Sequence, residues 1–411
     1  MKKIFAFCFI FLLLLSGCKN NLFNTFNQND TLQQITTNDS VVEFQIYPEN
    51  SKFDCVDKFQ RLGYSWLTDE EKSLYIKLDN ALFNMQNGFI NMGKCSKSVF
   101  SKVYLALTND RPEYFWVPNE YVLRLSDDRL EVCFAKQDND WIYTPAQRQT
   151  EEAIIKKELT NFLDNIVATN TEYERELIAH NWLADRVSYD NNAITNAEKN
   201  RHAWTVAGSF NQKKVVCEGY SKTFQLMCYM LGINCGIVTG QIENSDTGHM
   251  WNIVNIDNNW YFVDVTSNDS ETALYHFFFN VTTEYLLKGR TFDNQFQHNS
   301  DDNLRYNYAL PYCHNTTYNY HVYNSTYIAN KNNLRSTVVS ILYNAINNQK
   351  SMVEFAVSPQ MNYISGKQDA DEVFNLKECI LDVNSSLPKD KQLQSYSYGG
   401  VEGALGFSIS W

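Results

Sequence analysis

Val215-Val216-Cys217-Glu218-Gly219-Tyr220-Ser221 opens the stretch that decides the fold. Gly248-His249-Met250-Trp251-Asn252 and Trp260-Tyr261-Phe262-Val263-Asp264-Val265-Thr266 complete it. Val215 and Val216 make an apolar entry. Tyr220, Phe224, Met227 and Leu231 then recur at i, i+4, i+7 and i+11, one apolar stripe on a helix, and Gly232 fits the position after its end. Cys217 therefore falls at or next to a helix N-terminus. The unpaired N–H groups and positive dipole end there stabilise a thiolate, the nucleophilic form of cysteine. Gly219 leaves room for a substrate or another backbone to approach.

The downstream segments alternate as two strands. His249 to Ile256 is the first, Asp257-Asn258-Asn259 a turn, and Trp260 to Val265 the return. With Asn258-Asn259 as a two-residue loop, Ile253 lies opposite Asp264, and His249 shares that face four residues along. At about 3.3 Å per residue the two side chains then start roughly 13 Å apart. That register puts His249 and Asp264 on one face without closing a hydrogen bond; a bulge, strong twist or different register is needed.

Working outward, a helix is expected over residues 68–85, with Leu74, Leu78, Leu82 and Met85 on one side. Asp110-Arg111-Pro112-Glu113-Tyr114-Phe115-Trp116 follows. Its Pro favours a turn, and its aromatics favour a buried strand start and core packing. A charged helix is expected over 149–167. A Thr171-x-x-Glu174 capping box opens another that runs through Val187 and is largely buried. The last third is read as a strand over 318–328, helix 332–347, strand 352–357, helix 369–387 and two closing strands. Gly399-Gly400-Val401-Glu402-Gly403 between those strands is a hairpin turn rather than a phosphate loop. No internal repeat is present.

The first residues set the class. Met1-Lys2-Lys3 is a basic start, residues 4–15 are an unbroken apolar run, and Leu15-Ser16-Gly17-Cys18 follows. Twelve apolar residues cover about 18 Å as a helix, too short for a bilayer core of about 30 Å, so this is a signal h-region. It resembles the bacterial lipoprotein signal, which implies lipidation of Cys18 and cleavage before it. Residues 19–42, rich in Asn, Thr, Gln and Asp, then serve as a solvated tether. The chain of 411 residues is 44% hydrophobic and 14% aromatic, which excludes a disordered or collagen-like protein. A net charge of −12 argues against sequence-independent nucleic-acid binding. Without C-x-x-C, H-E-x-x-H or P-loop, neither zinc nor nucleotide chemistry has a foothold, and no metal or cofactor is expected. His314 and His321 near Cys313 are weak evidence for a metal site. Of the 10 cysteines, Cys8 leaves with the signal and Cys18 takes the lipid. Setting Cys217 aside leaves an odd remainder, so at least one thiol stays free.

The Cys217, His249 and Asp264 blocks, in that order and spacing, resemble the three blocks of the transglutaminase-like superfamily. Arg186-Val187-Ser188-Tyr189-Asp190 and the Ala207-Gly208 segment add to the likeness. It covers residues 171–267. The resemblance implies an α+β protein with a papain-like core and a Cys–His–Asp triad: Cys217 nucleophile, His249 base and acid, Asp264 orienting the imidazole. It also implies an oxyanion donor upstream of the cysteine, for which Tyr189 is the candidate, with Trp204 and Gln212 as alternatives. The expected layout is signal 1–17, tether 18–42, N-terminal α/β region 43–150, catalytic core 151–290 and a small C-terminal α/β domain 291–411. The function expected is a cell-envelope enzyme, lipid-anchored through Cys18, acting on a protein or peptide substrate. It would cleave or transfer acyl groups at peptide, isopeptide or Gln amides, with hydrolysis favoured over cross-linking. A catalytically silent binding or scaffold lipoprotein and a cell-wall peptide amidase are the competing readings.

Overall fold

Three of the long helices begin on a reciprocal capping box, in which a threonine hydroxyl and a side chain three residues on satisfy each other's backbone N–H. Thr171 with Glu174 opens Glu172–Arg186, at 3.2 Å and 2.8 Å. Thr68 with Glu71 opens Asp69–Phe83. Thr144 with Gln147 opens Pro145–Leu163, four residues earlier than the sequence reading placed it, because Pro145 is well suited to a first helical position. The computed structural model describes residues 47–48, 52–126, 129–243, 245, 248–270, 273–297, 306–358, 361, 370–401 and 404–410. The signal segment, Cys18 and the tether lie outside the described residues.

The sheet that carries the site has four antiparallel strands in the order Asn259–Val263, Gly248–Ile256, Cys235–Ile242, Arg290–Phe292. The helix Cys217–Met230 packs against it, and Gly232 follows at φ +72°, the left-handed conformation expected after a helix end. The first two strands are joined by Asp257-Asn258, at φ +47° and +62°, not by Asn258-Asn259. Both dipeptides tolerate positive φ, so local turn chemistry does not choose between them. The choice moves the register by two residues: Ile253 faces Phe262, not Asp264. Continued, this register brings Asp264 level with Trp251, two residues from His249 instead of four.

Strands Ile90–Gly93, Arg129–Cys133 and Val122–Ser126 form a separate antiparallel sheet. The largest apolar cluster runs from Val56 to Phe279 and includes Trp116, Phe162, Phe224 and Tyr261. Residues 56–166 and the Cys217 helix thus share one core. Tyr114, Phe115 and Trp116 are buried as expected, but no strand starts there. The Asp110 carboxylate accepts from the Gly63 and Tyr64 N–H groups (2.8 Å and 2.6 Å), and Arg111 pairs with Asp79 and Glu113. Side-chain bonds, rather than a strand ladder, hold that turn.

A second apolar cluster, from Ile328 to Ile409, lies under the C-terminal sheet, ordered Tyr327–Ile328, Met352–Val357, Ala404–Ser410, Ser395–Val401. Most of the expected strand over 318–328 is replaced by a one-turn helix, Tyr320–Tyr323. The Asn319 side chain accepts from the His321 and Val322 N–H groups and caps that turn. The expected helix over 369–387 is broken between Ala370–Phe374 and Leu376–Ser385 by Asn375 at φ +49°. The Gly399-Gly400 stretch pairs in an antiparallel hairpin. No helix of the described residues is long and apolar enough to cross a membrane.

Candidate active site

Cys217 is the first residue of its helix, half-buried, and its thiol is free. Two bonds lock that helix to the strand bearing His249: Ser221 Oγ donates to the Met250 carbonyl (3.0 Å), and Asn252 Nδ2 donates to the Ser221 carbonyl (3.0 Å). Gly219 is required for the approach. A Cβ there would sit 2.6 Å from the Ala203 carbonyl oxygen and 2.5 Å from Val215 Cβ. The room it leaves is taken by the Ala203 carbonyl and the Val215 side chain.

His249 meets both partners. Its Nε2 lies 2.8 Å from Asp264 Oδ2, and the Cys217 thiol is near enough to the same ring to favour its charged form. With Nε2 committed to Asp264, Nδ1 is the nitrogen left for the thiol. Burial disfavours the imidazolium, but the Asp264 charge and hydrogen bond, with Cys217, outweigh it and raise His249 to about 9. Trp251 stacks on the ring, 5.8 Å between centroids.

Asp264 ends its strand and caps the one-turn helix Val265–Asn268. Its Oδ1 accepts the Ser267 N–H (3.0 Å). Its Oδ2 accepts from Ser267 Oγ (2.7 Å) and Arg290 Nη2 (2.5 Å) as well as His249. Burial alone would push the carboxyl up. The charges of His249 and Arg290 and these bonds reverse that and hold it well below the usual carboxylate range. Arg290 is itself buried, lies over Phe278 at 3.7 Å and also donates to Ser267 Oγ (2.7 Å). The sequence reading missed both partners. Ser267 had a signal, since Asp-x-x-Ser is a helix-capping spacing. Arg290, on a three-residue strand, had none.

Tyr189, on the two-residue strand Ser188–Tyr189, is carried to the site by parallel pairing with Lys214–Val215, the entry to the Cys217 helix. Its phenol lies close enough to Cys217 for the two groups to influence each other electrostatically. Burial, then the nearby Cys217 and Asp264, raise its pKa far above ordinary tyrosine, so it stays protonated. Trp204 lines the cleft in front of Cys217, and Gln212 is exposed.

That cleft has a volume of about 360 Å³ and is lined by Cys217, His249 and Met250 on one side. Leu107, Tyr114 and Val117 line the other. The Glu218–Lys222 pair at its edge is closed on itself at 2.6 Å. Among the described residues no group of three or more His, Cys, Asp or Glu side chains is arranged to hold a metal ion.

Residues 160–265 match the model of the transglutaminase-like superfamily. The chain is 24% identical over 154 residues to mouse (Mus musculus) kyphoscoliosis peptidase, covering 34% of this chain and 23% of that protein. It is 28% identical over 131 residues to the human (Homo sapiens) counterpart, covering 28% and 20%. It thus spans about a fifth of the length of these relatives. Among solved structures, a TGase aligns with TM-score 0.27 and 17% identity over 37% of this chain and 45% of that one. A candidate cysteine protease from Cytophaga hutchinsonii aligns with TM-score 0.24 and 19% identity over 33% and 39%. The cleft wall at 107–117 lies outside that segment. Residues 160–265 form a transglutaminase-like core of mixed α+β character.

Proposed function

We propose that this protein is a cysteine enzyme that cleaves or transfers acyl groups at peptide, isopeptide or Gln side-chain amides, with hydrolysis favoured. Cys217 is the nucleophile, His249 the base and then the acid, and Asp264 the group that orients the imidazole. One observation carries the reading. A single imidazole lies between the thiol of a helix-first cysteine and a buried carboxylate, beside an open cleft.

The chemistry follows from that geometry. His249 takes the Cys217 proton, and the thiolate forms at the helix N-terminus, where the dipole favours negative charge. Attack on the amide carbon breaks the C–O π bond and puts charge on oxygen. The Cys217 N–H and the Tyr189 hydroxyl are the candidate donors to that oxyanion. The tetrahedral intermediate collapses with C–N cleavage, and His249 returns the proton to the leaving amine. Water, activated by the same ring, then hydrolyses the thioester.

The first 18 residues support placing the enzyme in the cell envelope, anchored to the membrane by a lipid on Cys18. Labelling with a fatty-acid analogue should tag the wild-type chain and not Cys18→Ser; equal labelling of both sinks the anchor. For the chemistry, iodoacetamide should label Cys217 ahead of every other thiol at neutral pH. Cys217→Ala should lose all amide hydrolysis on a peptide library. Hydrolysis that survives the substitution would falsify the assignment. New termini released from muropeptides would narrow the substrate to cell-wall peptides.

A further inference from the structure

A second buried cluster runs from the Asp264 helix to the C-terminal sheet. Asn268, fully buried in the helix Val265–Asn268, accepts the Phe278 N–H on Oδ1 (2.9 Å), which fixes which end of its amide is NH2. That NH2 lies 3.0 Å from His180 Nε2, so Nε2 must offer a lone pair and the His180 proton sits on Nδ1. Nδ1 therefore donates to Asn181 Oδ1 (2.8 Å). The same Oδ1 lies 2.8 Å from His276 Nε2 and accepts from it too. His276 Nδ1 lies 2.6 Å from Glu354 Oε1, and Glu354 Oε2 accepts the His276 backbone N–H at 2.8 Å. Each orientation forces the next. Both Glu354 oxygens thus face His276 N–H positions, as an acceptor-only carboxylate does, and each ring nitrogen of His276 stands as a donor.

We infer that the part-buried His276–Glu354 ion pair, relayed through Asn181, His180 and Asn268, positions the helix that presents Asp264 to His249. The C-terminal sheet then belongs to the apparatus that orients the reactive imidazole. Glu354 stands on the strand Met352–Val357, so the relay spans both apolar clusters of the protein. This rests on the assignment of Cys217, His249 and Asp264 proposed above. Asn181, His180, His276 and Glu354 touch no reacting atom and are positioning residues.

The surroundings agree. The titratable groups facing His276 are Glu354 from that strand, His180 from Glu172–Arg186, and Tyr320 and His321 from Tyr320–Tyr323. Tyr320 stacks on the ring at 3.9 Å between centroids. Tyr275 faces Glu354. Burial, then repulsion from His276, takes His180 down to about 3. Burial likewise takes His321 to about 4 against the pull of Glu354, so neither neighbour competes for the charge. Burial opposes ionisation of Glu354, but its hydrogen bond and charge contact with His276 keep it below the usual range.

Histidine-selective 15N NMR of the full chain at neutral pH tests the pair directly. His276 should show two ring protons, and one ring proton would overturn the inference. Cys217 alkylation by iodoacetamide, followed from about pH 5 to about pH 10, tests the relay. Glu354→Gln should slow alkylation at neutral pH by about tenfold and move the alkaline inflection to lower pH, because a loosened Asp264 supports His249 less. Asp382→Asn, a control at the exposed Arg335–Asp382 ion pair between two helices of the C-terminal region, should match wild type. A Glu354→Gln profile superimposable on wild type would overturn the relay. The two readings fail separately: if wild-type Cys217 alkylates like an ordinary thiol, the active-site assignment is lost whatever His276 shows. If Glu354→Gln does not fold, the wild-type NMR signature still decides.

Discussion

Two histidines of this protein rest on carboxylates, His249 on buried Asp264 at 2.8 Å and His276 on part-buried Glu354 at 2.6 Å. The remaining nitrogen of His249 faces a thiol and an open cleft. That of His276 faces the side-chain oxygen of Asn181, with Tyr320 stacked on its ring. The contrast teaches that an imidazole–carboxylate pair does not make an active site. What the ring's other nitrogen can reach decides whether the pair moves protons or holds two layers together. The carboxylates differ as well. Asp264 takes four hydrogen bonds, one from buried Arg290, which keep it anionic and fixed beside the ring.

The widest separation between the two pairs should come from the nucleophile. Cys217→Ala is expected to cut amide hydrolysis by about 10⁴-fold or more, whereas His276→Gln should cost about tenfold, read by single-turnover kinetics. Equal losses would erase the distinction. Next, Asp264→Asn should lower kcat by about 10³-fold, because an amide can no longer hold His249 as the tautomer that accepts from the thiol. The same variant tests the pH dependence of stability. His249 is raised to about 9 in the folded protein, so its contribution is complete below its unfolded value of about 6.5. It is then lost as pH rises through about 9. Wild type should lose on the order of 3 kcal/mol across that window in urea titrations, and Asp264→Asn should lose little.

A smaller effect separates the two tyrosines. Tyr189→Phe removes an oxyanion donor and should lower kcat by about 10²-fold with KM nearly unchanged. Tyr320→Phe keeps the ring over His276 and should stay within about twofold, since only the hydroxyl is lost. A loss of rate of about tenfold is expected from Arg290→Met, through a less well-held Asp264. That variant should also lose about 3 kcal/mol of stability, the cost of stranding a buried charge. Unchanged urea midpoints would show that Ser267 and His249 suffice to hold Asp264.

How much of this was legible depends on distance along the chain. The stripe of Tyr220, Phe224 and Met227 placed Cys217 at a helix start, and Thr171-x-x-Glu174 placed the next helix upstream. Both are signals within one or two turns. Residues 318–328 misled because aromatic content suggests a strand while the Asn319 cap acts on two specific N–H groups. The hairpin misled because Asp257-Asn258 and Asn258-Asn259 are equally able to turn, and the wrong one misplaces Asp264 by two residues.

Chain order, residue type and local period by themselves determined a helix-first cysteine, two alternating strands after it, and a histidine and an aspartate on a shared face. Only the tertiary structure decided that His249 reaches Asp264, that Arg290 supports the same oxygen, and that Asn268, His180, His276 and Glu354 connect in one line. Those contacts join groups separated by 15 to 95 residues. Their geometry is set by strand register, twist and packing of the two apolar clusters. A periodicity of two or 3.6 carries no information about which distant side chain will stand opposite.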